Sequence, residues 1–275
     1  MKSIALALGA SLTWGVSDFF GPLKGRKLGV LPALVYVQLG GLVAIAVIVA
    51  IRGKGPAGPA VLFAIPAAVS GTLGFYAYYR GMAVGAMSIV APIAGISAAV
   101  PVVFGILTGD RPSVWQWLGI AAALGGVFLA SREPRRSGKV AAGVGLALLA
   151  AIGFGGYFPP MHEAGNADFW WASLIFRMTS TSVILAAVAR RRPSLAVPST
   201  QVAVLALIGV GDMFGNFFFA AASTSGLVSI TSVLASLYPI VTVLLARLVL
   251  KERVARSQEA GIALTLAGVA LISAG

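Results

Sequence analysis

The sequence of 275 residues contains no cysteine, a single histidine, His162, and few charged residues, which make up 10% of the chain. The absence of cysteine excludes disulfide bonds, thiolate metal ligands and cysteine nucleophiles. One histidine supplies too few nitrogen ligands for a typical protein metal centre. We therefore expect neither a metal site nor a cofactor.

Apolar residues, by contrast, are abundant: 59% of the chain is hydrophobic and the mean hydropathy is +0.96, which is typical of an integral membrane protein. A membrane-spanning helix needs about 20 predominantly apolar residues. Because the first apolar stretch shows no small-residue cleavage pattern, we expect a retained helix and not a signal peptide. We predict an all-α membrane protein with ten transmembrane helices, at 3–21, 31–51, 60–80, 86–108, 114–131, 140–161, 168–189, 201–223, 227–248 and 256–274.

The net charge of +12 comes from basic residues in the predicted loops, so we expect a lipid bilayer as partner and no nucleic acid. We expect the protein in the cell (plasma or inner) membrane. The positive-inside rule then predicts that the face with more Lys and Arg is the cytoplasmic one. We therefore predict that both termini are non-cytoplasmic. Fifteen basic residues follow odd-numbered helices: Lys24, Arg26, Lys27, Arg80, Arg132, Arg135, Arg136, Lys139, Arg190, Arg191, Arg192, Arg247, Lys251, Arg253 and Arg256. Four lie on the other face: Lys2, Arg52, Lys54 and Arg111.

The two halves of the chain are similar to each other. Segments 110–131 (DRPSVWQWLGIAAALGGVFLAS) and 252–273 (ERVARSQEAGIALTLAGVALIS) are identical at ten of 22 positions, and weaker similarity links 85–94 with 226–235 and 6–15 with 146–155. We interpret 1–137 and 138–275 as two copies of a five-helix unit. Because five is odd, the second copy must enter the membrane from the opposite side. Inverted repeats of this kind are typical of transporters that work by alternating access.

Several short motifs carry a resemblance to a known family. The loops TGDRP (108–112) and LKERV (250–254), each followed by a GIA…GV helix, and the segment FRMTSTSVIL in helix 7 resemble the EamA-type, ten-helix branch of the drug/metabolite transporter superfamily, over essentially the whole chain. The proline-bearing penultimate helices, IVAPIAGISAAVP and SVLASLYPIVTVLL, are similar as well. The resemblance implies secondary transport of small metabolites, commonly efflux of amino acids or drugs, through a cavity formed by helices 1, 3, 4, 6, 8 and 9. It also implies cytoplasmic termini, but for this chain we follow the distribution of its basic residues.

Asp18 interrupts a run of small and aromatic residues, LTWGVSDFFGP at 12–22. A charged side chain at membrane depth costs at least about 2.5 kcal/mol and is therefore a candidate for function. Asp18 lies four residues before Pro22, about 6 Å along a helix, so we favour a position at the cytoplasmic end of helix 1, hydrogen-bonded or paired with Lys24 or Arg26. A role in gating or proton coupling is the alternative.

Arg177 and Asp212 are each thirteen residues from the hairpin between helices 7 and 8, counted from Arg190 and Ser199. They therefore lie at equal depth and can form an ion pair. We favour the interpretation that the pair is structural, because each charge then compensates the other in a low-dielectric environment. In the alternative, Asp212 titrates and releases Arg177, with protons as a candidate coupling ion.

A set of aromatic and amide side chains on several helices can line a cavity for a small amphipathic solute, although most such aromatics pack in cores or face lipid. We predict as substrate-binding residues Trp14, Tyr78, Tyr157, Asn216 and Tyr238.

We predict that the protein is a transporter and not an enzyme, but two other readings remain. The sequence GVGD at 209–212 and PAL at 32–34 match motifs of intramembrane aspartyl proteases. These enzymes need two aspartates that contact the same catalytic water. We expect Asp18 near the membrane boundary opposite to Asp212, too far away for that. A structural or lipid-scrambling membrane protein would lack a polar cavity between the repeats.

Overall fold

The structure is a computed structural model that describes residues 2–84, 94, 96–130, 144–249 and 256–274. The regular elements of these residues are helices. The α-helices are α1 (Lys2–Leu28), α2 (Val30–Arg52), α3 (Ala64–Val84), α4 (Ala99–Leu107), α5 (Val114–Ala130), α6 (Val144–Gly155), α7 (Phe158–Arg191), α8 (Ser199–Ser223), α9 (Val228–Ala235), α10 (Tyr238–Val249) and α11 (Arg256–Ala274), with 3-10 helices at Pro59–Phe63 and Ile96–Ala98.

Several of these helices have the length and composition of membrane spans. Among the described residues, five stretches qualify: Lys2–Gly25, Val30–Arg52, Pro59–Gly81, Gly145–Arg191 and Ser199–Ser223. Large apolar side chains point outward, including Ile51 and Leu107, which are both 81% exposed. So much exposed apolar surface is unfavourable in water and favourable in lipid, as expected for a multi-pass membrane protein.

Helix α7 contains a sharp kink at Asp168, whose backbone is extended (φ −164°, ψ 102°). Its Oδ1 accepts a hydrogen bond of 3.0 Å from the backbone N–H of Trp170 and so caps the part of α7 that follows. Arg52, at the end of α2, forms an ion pair of 2.7 Å with Asp168. The kink lies at the predicted start of helix 7, so α7 contains the end of predicted helix 6 and all of helix 7.

Predicted helices 6 and 9 are each interrupted near the middle of the bundle. Helix α6 ends at Gly155 and α7 begins at Phe158, while α9 ends at Ala235 and α10 begins at Tyr238. Proline follows each break, and the first turn of a new helix accommodates it because an N–H there has no partner within the helix. These breaks place Tyr157 and Tyr238 at the helix junctions. Most of the first part of predicted helix 4 lies outside the described residues, as do the whole of the loops 132–139 and 250–254.

Helices α5 and α11, which carry the strongest repeat similarity, pack against each other in an antiparallel pair. A side chain on Gly119 would meet the carbonyl of Gly268, and one on Gly126 would meet the carbonyl of Gly261. In the repeat alignment Gly119 corresponds to Gly261 and Gly126 to Gly268, so the two contacts are equivalent. Glycine at these positions allows the close backbone approach that membrane helices use for packing.

A second pair of contacts between equivalent helices also depends on glycine. Helix α1 packs on α8 and helix α3 packs on α6. A Cβ on Gly215 would overlap the Trp14 indole, and a Cβ on Gly74 would crowd the backbone of Phe154. Gly74 aligns with Gly215, and Trp14 with Phe154. Equivalent helices of the two copies therefore make equivalent contacts around the centre of the bundle.

Candidate functional site

Side chains from both halves of the chain surround a cavity in the middle of the bundle. It contains about 690 Å³ of space free of protein atoms, counted out to its opening. The polar side chains of its wall are Asp18, Gln38, Thr72, Ser97, Ser180, Asp212 and Asn216. The aromatic ones are Trp14, Phe75, Phe154, Tyr157, Phe158, Phe176 and Tyr238. The described wall thus includes α2 and the second part of α7, in addition to the helices that the resemblance implied.

Trp14 on α1 is the centre of the aromatic part of this wall. Its ring centroid lies 5.9 Å from that of Tyr157 and 6.4 Å from that of Tyr238, both nearly perpendicular to it. Phe158 lies 6.3 Å away in the same edge-to-face arrangement. Such pairs are favourable beyond the area they bury, so the cluster is a rigid surface.

Asp18 lies deep in the bundle, which corrects the prediction that it sits at the cytoplasmic end of helix 1. Helix α1 does not end at Pro22 but continues to Leu28. Lys24, its predicted partner, instead donates a hydrogen bond of 2.7 Å to Gln201, and the side chain of Arg26 lies outside the described set. The spacing argument failed because a proline inside a helix kinks it without ending it when neighbouring helices hold both sides.

The Asp18 carboxylate is buried, with only 6% of the residue exposed. Its Oδ1 has no hydrogen-bond partner among the described residues, and the same is true of Thr72 Oγ1 and Tyr157 OH. Pro22 also lacks the N–H that would bond the Asp18 carbonyl in an intact helix. Buried polar atoms are nearly always hydrogen-bonded, so three such groups around one cavity indicate a place for polar ligand atoms.

Arg177 and Asp212, predicted to lie at equal depth, form an ion pair of 2.6 Å. Arg177 is 1% exposed, and its other terminal nitrogen donates a 2.7 Å hydrogen bond to Gln38 Oε1. The pair connects α2, α7 and α8. Asp212 reaches the cavity wall, whereas Arg177 lies behind it.

Four of the five predicted substrate-binding residues line the cavity: Trp14, Tyr157, Asn216 and Tyr238. The amide of Asn216 donates to the carbonyl of Asp212, one turn earlier in α8. Tyr78 is not among the described wall residues, and its role in substrate binding stays a prediction. It packs in an apolar cluster, 5.8 Å from the ring of Phe154.

Some residues of the cavity wall were not predicted from the sequence. Gln38 is the one amide in the otherwise apolar run VLPALVYVQLGGLVAIAVIVAIR, and that isolation was a usable signal. Thr72 and Ser180 gave none, because hydroxyl side chains in membrane helices commonly bond their own backbone. Ser180 does so here, donating 2.8 Å to the carbonyl of Phe176.

The two aspartates of the protease alternative, Asp18 and Asp212, both line this cavity, so the depth argument against that alternative was wrong. A different observation now counts against it. Aspartyl proteases share one proton between two carboxylates, whereas Asp212 is committed to Arg177.

Comparison with known proteins agrees with the architecture. A solved crystal structure of another protein superposes with a TM-score of 0.80 over 98% of each chain, at 17% identity, which shows a shared fold. None of the curated proteins compared with this chain matches it significantly. The profile of the EamA-like transporter family matches residues 1–132 and 141–274. These two matches cover nearly the whole sequence and fall on its two halves, so the resemblance seen in the motifs is confirmed: the chain belongs to the EamA-like transporter family, within the drug/metabolite transporter superfamily.

Proposed function

We propose that this protein is a secondary active transporter of small amphipathic solutes that works by alternating access. The ten apolar segments form two inverted five-helix repeats, 1–137 and 138–275. The antiparallel contacts of α5 with α11 support the inversion, because equivalent helices then run in opposite directions. The kink at Asp168 and the breaks before Phe158 and Tyr238 account for spans that do not coincide with single helices.

The observation that carries this proposal is a cavity between the repeats whose wall contains a buried carboxylate, with no hydrogen-bond partner on Oδ1 among the residues that the structure describes. Transporter sites lie near the bilayer midplane, where the repeats meet and helices are discontinuous. Tyr157 and Tyr238 occupy such discontinuities here. A scrambling or purely structural protein has no need of this arrangement.

The roles follow from position. Trp14, Tyr157, Asn216 and Tyr238 contact the solute, and Asp18 is the coupling group. It exchanges a proton for solute, because an ionised carboxylate at this depth is costly when it is unpaired. Arg177 and Asp212 form a structural pair that fixes the wall.

We place the protein in the cell membrane with the basic loops in the cytoplasm and the termini outside, from the positive-inside rule. Export is the direction that the family resemblance favours, and amino acids are among the solutes it implies.

Reconstitution in proteoliposomes tests the proposal. A panel of amino acids, amines and neutral amphiphiles is presented with and without a pH gradient, and at least one solute should accumulate in a gradient-dependent way. Asp18→Asn should lose gradient-driven transport, whereas Glu163→Gln, the same change at an exposed carboxylate, should keep it. Gradient-driven transport by Asp18→Asn at the unchanged rate would refute the coupling role.

The aspartyl protease remains the second candidate, because Asp18 and Asp212 line one cavity. Incubation of the purified protein with a membrane-embedded helical reporter tests it. Cleavage that is lost in both Asp18→Asn and Asp212→Asn would establish the protease; intact reporter would exclude cleavage of this substrate class.

A further inference from the structure

The described cavity wall is unbalanced in charge. It contains two carboxylates, Asp18 and Asp212, and no basic side chain. Residues 85–93 and 95, which the structure does not describe, include no basic residue either. Arg177 behind the wall neutralises Asp212 through its 2.6 Å ion pair. Among the described residues, one negative charge of the wall, that of ionised Asp18, is therefore left for a ligand.

Aromatic side chains share the cavity wall with that charge. Trp14 lies one helical turn before Asp18 on α1, and the rings of Tyr157, Phe158 and Tyr238 lie within 6.4 Å of its centroid. Aromatic faces attract cations, and Trp does so most strongly. Burial strengthens this attraction because water does not compete for the cation.

We propose that the cavity binds organic cations: amphipathic molecules with one ammonium or quaternary ammonium group, held by Asp18 as counter-ion and by the faces of Trp14 and its neighbouring rings. This inference rests on the proposed transport function, because it names the solute class of the same cavity. An apolar body of the solute contacts Phe75, Phe154 and Phe176.

Anions and zwitterions fit the same wall less well. A ligand carboxylate needs a cationic or N–H partner to compensate its desolvation. Both terminal nitrogens of Arg177 donate hydrogen bonds, to Gln38 and to Asp212. Its Nε has no partner among the described residues, but the guanidinium, Nε included, lies behind the described wall, on the side of Gly41. An amino acid would therefore satisfy its ammonium group at Asp18 and leave its carboxylate uncompensated.

Four probes with one phenylalkyl body and different head groups test this directly: phenylbutyltrimethylammonium (cation), phenylbutanoate (anion), phenylbutanol (neutral) and phenylalanine (zwitterion). Binding to the purified full chain in detergent is measured by calorimetry and by the change in tryptophan fluorescence. The cation should bind at least about tenfold more tightly than any other probe. Tighter binding of phenylbutanoate or phenylalanine than of the cation would overturn the proposal.

Variants separate charge from aromatic contact. Asp18→Asn should weaken binding of the cation by about 30-fold or more, because one partner of a buried charge pair is lost, and should change that of phenylbutanol by less than about threefold. Trp14→Leu should weaken binding of the cation by about tenfold, and Trp14→Phe should restore part of it. Glu163→Gln, at an exposed position, is the matched control and should bind like the unmodified protein.

The outcomes distinguish this inference from the transport proposal. Cation binding that depends on Asp18, with no transport in proteoliposomes, would support the ligand class and refute the transporter. Transport of neutral or zwitterionic solutes, with no preference for the cation, would support the transporter and refute the proposed ligand class. If Asp18→Asn does not yield a monodisperse protein, the Trp14 series and the ranking of the four probes decide the question alone.

Discussion

Removal of the carboxylate from Asp212 should be the most damaging single change at the centre of the bundle. In Asp212→Ala the guanidinium of Arg177 keeps its 2.7 Å bond to Gln38 but loses its only counter-ion among the described residues. Arg177 is 1% exposed, so water cannot replace that counter-ion. Loss of one partner of a buried pair costs about 3–5 kcal/mol, which lowers the folding equilibrium by about two to four orders of magnitude.

The reverse change should cost less, because the two partners differ in their access to the cavity. The Asp212 side chain is 12% exposed and that of Arg177 only 1%. In Arg177→Met the remaining carboxylate faces the cavity, where water or a proton can compensate it, and we expect a cost of about 1–3 kcal/mol. The double variant Arg177→Met with Asp212→Leu removes both charges and should recover most of the lost stability.

Chemical denaturation in mixed micelles measures the free energy of unfolding of the four proteins, and the double-mutant cycle gives the coupling energy. We expect Asp212→Ala to be the least stable and the double variant to be more stable than that single variant. Equal, additive losses of less than about 1 kcal/mol would show that the ion pair does not hold this part of the wall, and would refute the reasoning.

Three further predictions follow from contacts elsewhere. Gly209→Ala should destabilise the protein by about 1–3 kcal/mol in the same denaturation assay, because a Cβ there overlaps a backbone carbonyl of α2, whereas Gly55→Ala meets no atom and should be neutral. Asp168→Ala should lower the melting temperature more than Asp168→Asn, because asparagine keeps the cap of α7 and loses only the charge paired with Arg52; equal shifts would contradict the capping role. The chain has no natural cysteine, so Ser194→Cys and Gly55→Cys each introduce a single thiol, and an impermeant maleimide should label them from the cytoplasmic and the opposite side, respectively; the reverse pattern would overturn the assigned orientation.

The sequence by itself determined the broad architecture. Apolar runs long enough to cross a bilayer and a repeat of glycines and polar residues indicated a duplicated helical membrane protein, because both signals are properties of the chain alone. The equal depth of Arg177 and Asp212 was also predictable, since residue counts along two helices joined by a short loop fix it. The isolated amide of Gln38 was present in the sequence, but its partner was not.

Only the tertiary structure decided which side chains reach the cavity. Asp18 was misplaced because Pro22 suggested a helix end, and the sequence did not show that Tyr78 packs on Phe154, a residue of the wall. The chemistry is also less symmetric than the scaffold: Asp18 aligns with Phe158, and Asp212 with Gly71. Hydropathy and spacing describe one helix at a time, whereas the direction of a side chain depends on how that helix is rotated against its neighbours, and that rotation is set by packing between segments far apart in the chain.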